Sequence, residues 1–120
     1  MCRYERRDLS SGILREVTFS LGDKDVGRFS VYHHKIMDMS IYVEPEYRGK
    51  GLTRILIRAM MDALMNENAY VPDAFIYIDT DASERFWDHV GLVDNPDLDN
   101  PTVPQYGYEK RISMEALLNF

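Results

Sequence analysis

The sequence has little cysteine and no long apolar segment, and both shortages narrow the classes of protein to which it can belong. Its 120 residues include a single cysteine, Cys2, which excludes a disulfide framework and a structural zinc site built from several cysteines. Apolar residues occur in runs of at most five, whereas a membrane-spanning helix needs about 20. The charged residues 1–7 have no apolar stretch behind them, so we expect no signal peptide and a cytoplasmic location.

Basic residues are scarce in the C-terminal part of the chain. Residues 71–120 carry 3 basic and 10 acidic side chains, a net charge of −7, whereas residues 1–70 carry 11 and 10. Because acidic surfaces repel phosphate backbones, we expect neither a nucleic acid nor a membrane as partner. Such a surface would attract a cationic small molecule or a basic peptide, although it also serves solubility alone.

Apolar periodicity predicts one domain over residues 1–120, built from strands and helices. Alternation predicts three strands, Ile13–Leu21, Val26–His33 and Met37–Val43, with a turn at residues 22–25. A helix is predicted over residues 51–66, and the residues expected to face the core are Leu52, Ile55, Leu56, Ala59, Met60 and Ala63.

The remainder of the chain predicts an alternation of strands and helices. The predicted elements are a strand at Ala74–Ile78, a helix from Ala82 to His89 capped by Asp81, a loop at Asp94–Pro104, a strand from Val103 to Ile112, and a helix that Ser113 caps and that ends at Leu118. The order β-β-β-α-β-α-β-α predicts an α+β (α/β) fold with a mixed, mostly antiparallel central sheet and flanking helices.

The most informative segment joins the third predicted strand to the first helix. It reads Val43-Glu44-Pro45-Glu46-Tyr47-Arg48-Gly49-Lys50-Gly51-Leu52-Thr53. Glycines let the chain turn tightly, and the first amides of a helix have no internal partners, so a diphosphate suits such a turn. The segment lacks the Gly-x-x-x-x-Gly-Lys-Ser/Thr pattern of a Walker loop. It also lacks the Gly-x-Gly-x-x-Gly dinucleotide fingerprint, because the position of the third glycine is Arg54. A plain strand–helix turn is the alternative reading.

This junction resembles the acetyl-CoA signature of the GNAT superfamily of N-acetyltransferases, through Val43-x-Pro45-x-x-Arg48-Gly49-Lys50-Gly51-Leu52. Residues 83–92, Ser-Glu-Arg-Phe-Trp-Asp-His-Val-Gly-Leu, are similar to the family's second helix, usually Ala-x-x-Leu-Tyr-x-x-x-Gly-Phe. The resemblance covers roughly residues 13–112. It implies the GNAT acyltransferase fold, acetyl-CoA as co-substrate, and direct attack of an amine in a ternary complex, with no metal.

The resemblance also implies cofactor contacts at the matched positions. The residues expected at the CoA pyrophosphate are Arg48, Gly49, Lys50, Gly51, Leu52 and Thr53, of which Thr53 replaces the usual Gly or Ala. The residues expected to pair their main chain with the pantetheine arm are Ile41, Tyr42 and Val43. Trp87 stands where many members have the tyrosine that protonates the departing thiolate. Because indole cannot act as that acid, Trp87 is expected to pack in the core or against CoA.

Several residues compete for the remaining catalytic roles. Candidate substitutes for the missing acid are Tyr77, Tyr106 and Tyr108. For the base that deprotonates the acceptor ammonium, we expect Asp38 or Glu44, with His33 or His34 as alternatives. Asp38 is nearest to the position of the family's base, whereas Glu44 borders the phosphate turn, where its charge would repel the cofactor.

The acceptor site is expected after the strand Ala74–Ile78. Asp79 and Asp81 are candidates for binding the ammonium head of the acceptor, with capping and solvation as the alternative. In the family, a strand and two helices precede the first hairpin and wall this site, but only about twelve residues precede Ile13 here. Either a second subunit of a homodimer or the loop Asp94–Pro104 would complete the wall.

Together these observations favour an acetyl-CoA-dependent N-acetyltransferase that acts on a small cationic amine such as a polyamine. A protein lysine or N-terminus is the next choice of acceptor. The alternative from another class is a catalytically degenerate CoA-binding module with a regulatory or interaction role, which Trp87 and the short N-terminus favour. A third reading is the transfer of a longer acyl group.

Overall fold

A mixed seven-stranded sheet carries the fold in the computed structural model, which describes residues 1–78 and 91–120. The strands are β1 Cys2–Asp8, β2 Ile13–Leu21, β3 Lys24–His33, β4 Met37–Val43, β5 Phe75–Ile78, β6 Val93–Asp94 and β7 Lys110–Ser113. The helices are α1 Leu52–Asn66 and α2 Met114–Leu118, with a 3-10 turn at Pro45–Tyr47. Within this part of the chain the strand order is β1-β2-β3-β4-β5-β7-β6, and β4–β5 is its parallel pair. The predicted fold class is confirmed.

Strands β2, β3 and β4 form the antiparallel meander that the sequence predicts, with bounds within two residues of the prediction. Side chains alternate between the two faces of the sheet, so Met37, Met39 and Val43 are buried in the core. Asp38 and Tyr42 project from the opposite face. The sheet therefore has one apolar face under α1 and one polar face.

Helix α1 packs its apolar side on β2 and β3 and also contacts α2. Its buried residues are Leu52, Leu56, Ile57, Met60, Met61, Ala63 and Leu64. The prediction that Ile55 faces the core is wrong, because its side chain is 45% exposed. Ile57 and Met61 are buried instead.

Strand β1 is absent from the sequence-based prediction because it has no apolar alternation to detect. All seven of its residues are exposed. It pairs with β2 along its whole length, from Cys2 opposite Phe19 to Asp8 opposite Ile13. Residues 1–12 therefore form one strand and a turn, which is only part of the N-terminal wall that the resemblance implies.

The C-terminal part follows the prediction in its order but not in its bounds. The strand predicted from Val103 begins only at Lys110, because residues 95–109 form a series of turns. Helix α2 begins as predicted, with the Ser113 hydroxyl accepting a hydrogen bond from the Ala116 amide at 3.1 Å. The helix predicted at Ala82–His89 lies outside the described residues. Neither α1 nor α2 has the length and apolar character that crossing a membrane requires.

Candidate functional site

In the part of the chain that the structure describes, β4 and β5 pair over two residues each, at the start of β4. Met37 lies opposite Ile76 and Asp38 opposite Tyr77, and the described pairing ends there. Among residues 1–78 and 91–120, the remaining residues of β4 have no strand partner on this side, and this edge, unpaired in the described part of the chain, is termed the gap. The Glu44 amide donates to the Val26 carbonyl at 2.9 Å, just beyond the β3–β4 pairing. Because main-chain hydrogen bonds alternate in direction along an antiparallel strand, the N–H and C=O groups of Tyr42, Ser40 and Asp38 also face β3. The main-chain groups of the others point into the gap, at Met39, Ile41 and Val43.

The three residues expected at the pantetheine arm therefore differ in the direction of their main-chain groups. Ile41 and Val43 present main-chain groups to the gap, whereas those of Tyr42 face β3. The Tyr42 side chain is 49% exposed, and its ring centroid lies 5.9 Å from Cζ of Arg48. Arg48 also donates from Nε to the Val43 carbonyl at 2.9 Å, which ties the turn to the end of β4.

The glycine turn after β4 leaves a run of main-chain amides exposed. Gly49 and Gly51 have φ values of 76° and 78°, a left-handed conformation that strongly favours glycine. Among the described residues, a Cβ at either position would meet no atom within 4 Å. Within the described part of the chain, the amides of residues 49–54 have no hydrogen-bond acceptor, and the first helical bond runs from Ile55 to Gly51. These donors fit a diphosphate.

The charges around this turn are mostly positive. Lys50 has its Nζ 5.8 Å from the Tyr47 ring, and Lys24 approaches the same ring at 5.9 Å. Lys24 also pairs with Glu46 at 3.7 Å. Glu44, one of the two candidate bases, lies beside these cations at the end of β4. Glu44 lies six positions after Asp38, or about 20 Å along an extended chain, so the two carboxylates cannot act on the same atom.

Asp38 lies at the other end of the gap, where β4 and β5 are still paired. Its Oδ2 accepts a hydrogen bond from the Tyr108 hydroxyl at 3.0 Å and lies 2.8 Å from Nε2 of His34. Within residues 1–78 and 91–120, no hydrogen bond reaches its Oδ1. The Asp38 side chain is 25% exposed. One carboxylate oxygen is thus fixed in place while the other remains available.

Tyr32 on β3 and Tyr77 on β5 lie opposite Asp38 in the register of the sheet. The Tyr77 and Tyr108 rings lie 6.1 Å apart, and the Tyr32 and His34 rings 4.8 Å apart. A carboxylate with aromatic residues as neighbours attracts an ammonium group through its charge, and aromatic rings add cation–π attraction. The sequence singled out Asp38, His34 and Tyr108 separately, and the structure brings all three together.

Other candidate residues lie elsewhere. His33 ends β3, so its side chain lies on the face opposite that of Tyr32, against which the His34 ring packs. Burial, with the charge of Arg15, lowers the pKa of His33. Asp79, Asp81 and Trp87 lie outside the described residues. In the part that is described, no three His, Cys, Asp or Glu side chains are grouped as metal ligands.

Sequence comparison assigns the chain to a family. A sequence model of the acetyltransferase (GNAT) family matches residues 18–92, which is more than half of the chain and includes β3, β4, the glycine turn and α1. The chain belongs to the GNAT acetyltransferase family. The resemblance to the GNAT superfamily is therefore confirmed at the level of the family. Among curated protein sequences, none matches this GNAT chain.

Solved structures share the GNAT fold at low sequence identity. A protein from Desulfovibrio desulfuricans assigned to the GNAT family has a TM-score of 0.61 and 13% identity, covering 95% of this chain and 99% of its own. A chain of the KacTA–DNA complex has a TM-score of 0.57 and 11% identity, covering 88% of this chain and 71% of its own. A chimera of the spermidine N-acetyltransferase SpeG from Vibrio cholerae with hSSAT has a TM-score of 0.54 and 20% identity, covering 89% of this chain and 72% of its own. At these identities, the likeness is one of fold.

Proposed function

We propose that this protein is an acetyl-CoA-dependent N-acetyltransferase that acts on a primary amine carried by a small cationic molecule such as a polyamine. The observation that carries the proposal is the run of amides at residues 49–54, which follows β4 and has no hydrogen-bond acceptor in the described part of the chain. Acetyl-CoA would supply the acetyl thioester. The rest of the chemistry depends on how this chain holds the two substrates and moves one proton.

Three parts of the chain would bind the donor. The amides from Gly49 to Thr53 would hold the diphosphate, with the positive charges of Arg48 and Lys50 beside it. The main-chain groups of Ile41 and Val43 would accept the pantetheine arm as an added strand. Bound in this way, the arm would extend along β4 from the turn towards Asp38. Trp87 would pack against CoA or in the core.

Asp38 would receive the proton of the acceptor ammonium. Since His34 and Tyr108 both bond Oδ2, the ammonium would meet Oδ1. The ion pair would orient the amine, and transfer of its proton to the carboxylate would expose the nitrogen lone pair. Glu44 would have no such role, because it lies about 20 Å from Asp38 along the strand.

Two observations support a cationic acceptor. Residues 71–120 carry a net charge of −7, and the aromatic residues around Asp38 suit an ammonium head. The spermidine N-acetyltransferase chimera shares the fold, although 20% identity transfers no substrate. Asp79 and Asp81 would bind further positive charge on the acceptor. A second subunit or the loop at residues 94–104 would complete the wall of this site.

Titration with CoA tests the donor site. In Gly51→Asp a carboxylate would face the diphosphate from a strained backbone, so we expect the affinity for CoA to fall by about 100-fold or more. The matched control is Gly22→Asp in the β2–β3 turn, where φ is 61° and a Cβ is equally unobstructed. We expect the control to bind CoA within about threefold of the wild type.

Release of free thiol from acetyl-CoA in the presence of spermidine, and separately of a lysine peptide, tests the acceptor. Turnover with spermidine is the expected result. Turnover with the lysine peptide but not with spermidine would show that the acceptor is a protein and not a polyamine. CoA binding without turnover on any amine would favour the alternative that Trp87 suggests, a CoA-binding module. The absence of CoA binding would overturn the proposal as a whole.

A further inference from the structure

An apolar cavity of about 130 Å³ lies between the end of the β2–β3 hairpin and the start of α1. The apolar and aromatic side chains that line it are Phe19, Leu21, Val26, Tyr47, Leu52 and Ile55. Leu21 is 47% exposed and Ile55 is 45% exposed, so the cavity opens to solvent. Ile55, which helical spacing places in the core, is thus part of a cavity wall. Apolar walls open to water suit an apolar ring.

The cavity adjoins the proposed diphosphate site. Lys50 and Leu52, which both line it, belong to the run of amides at residues 49–54. In CoA the diphosphate joins the pantetheine arm to an adenosine that carries a 3′-phosphate. The arm is proposed to follow the edge of β4 that faces β5, whereas the cavity is walled by β2 and β3, on the other side of β4. The adenosine would therefore leave the turn towards the cavity.

Two lysine ammonium groups lie at one wall of the cavity. Nζ of Lys50 is 5.8 Å and Nζ of Lys24 is 5.9 Å from the centre of the Tyr47 ring, which lines the cavity. Lys24 also pairs with Glu46 at 3.7 Å, but the two side chains are 55% and 67% exposed, so this pair is weak in water. A phosphate dianion competes well for such an ammonium.

We propose that this cavity takes the adenine ring of CoA and that Lys24, together with Lys50, binds the 3′-phosphate. The inference rests on the proposed use of acetyl-CoA and assigns donor recognition to residues outside the glycine turn. An apolar cavity of about 150 Å³ holds a benzene ring, so a cavity of this size has room for one ring of the purine. A flat apolar ring and a phosphate on one nucleoside match the cavity and the two cations beside it.

Removal of one ammonium tests the phosphate half of the inference. We expect the wild type to bind CoA about tenfold more tightly than 3′-dephospho-CoA, because the 3′-phosphate adds a charge-assisted contact. Lys24→Gln should lose most of this preference by binding CoA more weakly, with the affinity for 3′-dephospho-CoA kept within about twofold. The matched control is Lys35→Gln in the turn at the other end of β3, which should keep the full preference.

Calorimetric titration separates the two kinds of failure. Equal affinity of the wild type for the two coenzymes, or an undiminished preference in Lys24→Gln, would overturn the inference while CoA binding and the proposed function stand. A wild type that binds neither coenzyme would overturn the proposed function itself.

Glu46→Gln changes the charge in the opposite direction. It removes the carboxylate that pairs with Lys24, so we expect the affinity for CoA to rise about threefold and that for 3′-dephospho-CoA to stay unchanged. An equal gain for both coenzymes would place the 3′-phosphate away from Lys24.

A shortened wall tests the adenine half of the inference. Ile55→Ala removes apolar surface from the cavity, so we expect the affinities for CoA and 3′-dephospho-CoA to fall by the same factor of about five. 4′-Phosphopantetheine, which lacks the adenosine, should bind Ile55→Ala and the wild type equally. The control is Met65→Ala, 40% exposed at the other end of α1, which should leave all three affinities unchanged. An unchanged affinity for CoA in Ile55→Ala, or a loss shared by 4′-phosphopantetheine, would show that the cavity does not hold the adenine.

Discussion

Two carboxylates in this molecule each accept a hydrogen bond from a tyrosine hydroxyl, but their surroundings differ. Glu67, just after α1, lies on the core face of the sheet, bonded to Tyr4, to Arg6 Nη1 at 2.7 Å and to Arg15 Nε at 2.9 Å. Asp38, on the polar face, has the neutral hydroxyl of Tyr108 and the imidazole of His34 as its partners.

The charges around the two carboxylates explain the difference in role. Burial tends to raise the pKa of Glu67, but the hydrogen bonds from Tyr4, Arg15 and Arg6 together hold that pKa below its usual value. Two guanidinium groups thus satisfy Glu67, and one of them, Arg15, is itself only 3% exposed. No guanidinium or lysine ammonium in the described residues pairs with Asp38. We infer that the first carboxylate stabilises the fold and that the second is available to an incoming ammonium.

The largest expected effect is on stability, through Glu67. Glu67→Ala would leave Arg15 buried without a counter-ion, so we expect the free energy of unfolding to fall by about 3–5 kcal/mol. Urea denaturation followed by circular dichroism measures it. The control is Asp62→Ala on the exposed side of α1, expected within about 0.5 kcal/mol of the wild type. A loss below about 1 kcal/mol in Glu67→Ala would contradict the comparison.

Asp38→Asn should show the opposite pattern, with transfer lost and stability kept. An amide can still bond His34 and Tyr108 but cannot receive the ammonium proton, so we expect acetyl transfer to fall about 100-fold. Unfolding should change by less than about 1 kcal/mol, because no buried cation loses its partner. The same denaturation and thiol-release assays apply, with the exposed Asp73→Asn as control. Loss of stability with full transfer would show that Asp38 is structural.

His34→Lys would give Asp38 the kind of partner that Glu67 has. A fixed ammonium beside Oδ2 would compete with the acceptor amine by like-charge repulsion, so we expect KM for spermidine to rise about tenfold. The matched substitution His34→Gln keeps a neutral hydrogen bond and should change that KM by less than about threefold. Equal effects of the two substitutions would mean that charge at Asp38 does not select the acceptor.

The smallest effect concerns alkaline stability around Glu67. Burial, reinforced by the hydrogen bond to Glu67, raises the pKa of Tyr4 from its usual 10.0 to about 12. Because the folded state holds this proton more tightly, its contribution is complete below pH 10 and is lost as pH rises towards 12. Thermal unfolding between pH 9 and 12 should therefore depend less on pH in Tyr4→Phe than in the wild type. Tyr106→Phe should retain the wild-type slope.

Much of the fold was predictable because its signals are local. Alternating apolar residues gave β2, β3 and β4, and helical spacing together with the glycines gave α1 within one residue. Strand β1 has no buried side chain, so no periodicity marked it. The strand predicted from Val103 begins only at Lys110. The buried side chain of Asn95 donates from Nδ2 to the carbonyls of Gln105 and Tyr108 and so holds them in turns, and a single buried amide leaves no sequence pattern.

The candidate site was predictable in its main-chain part and less so in its side chains. The sequence by itself determined the glycine turn and the start of α1, because left-handed glycines and unpaired helix amides are encoded by neighbouring residues. Only the tertiary structure decided that Tyr108 meets Asp38, 70 positions away, and that Glu67 meets Arg15, 52 positions away. Such contacts depend on the register of the sheet and on the course of a loop, which no short stretch of sequence specifies.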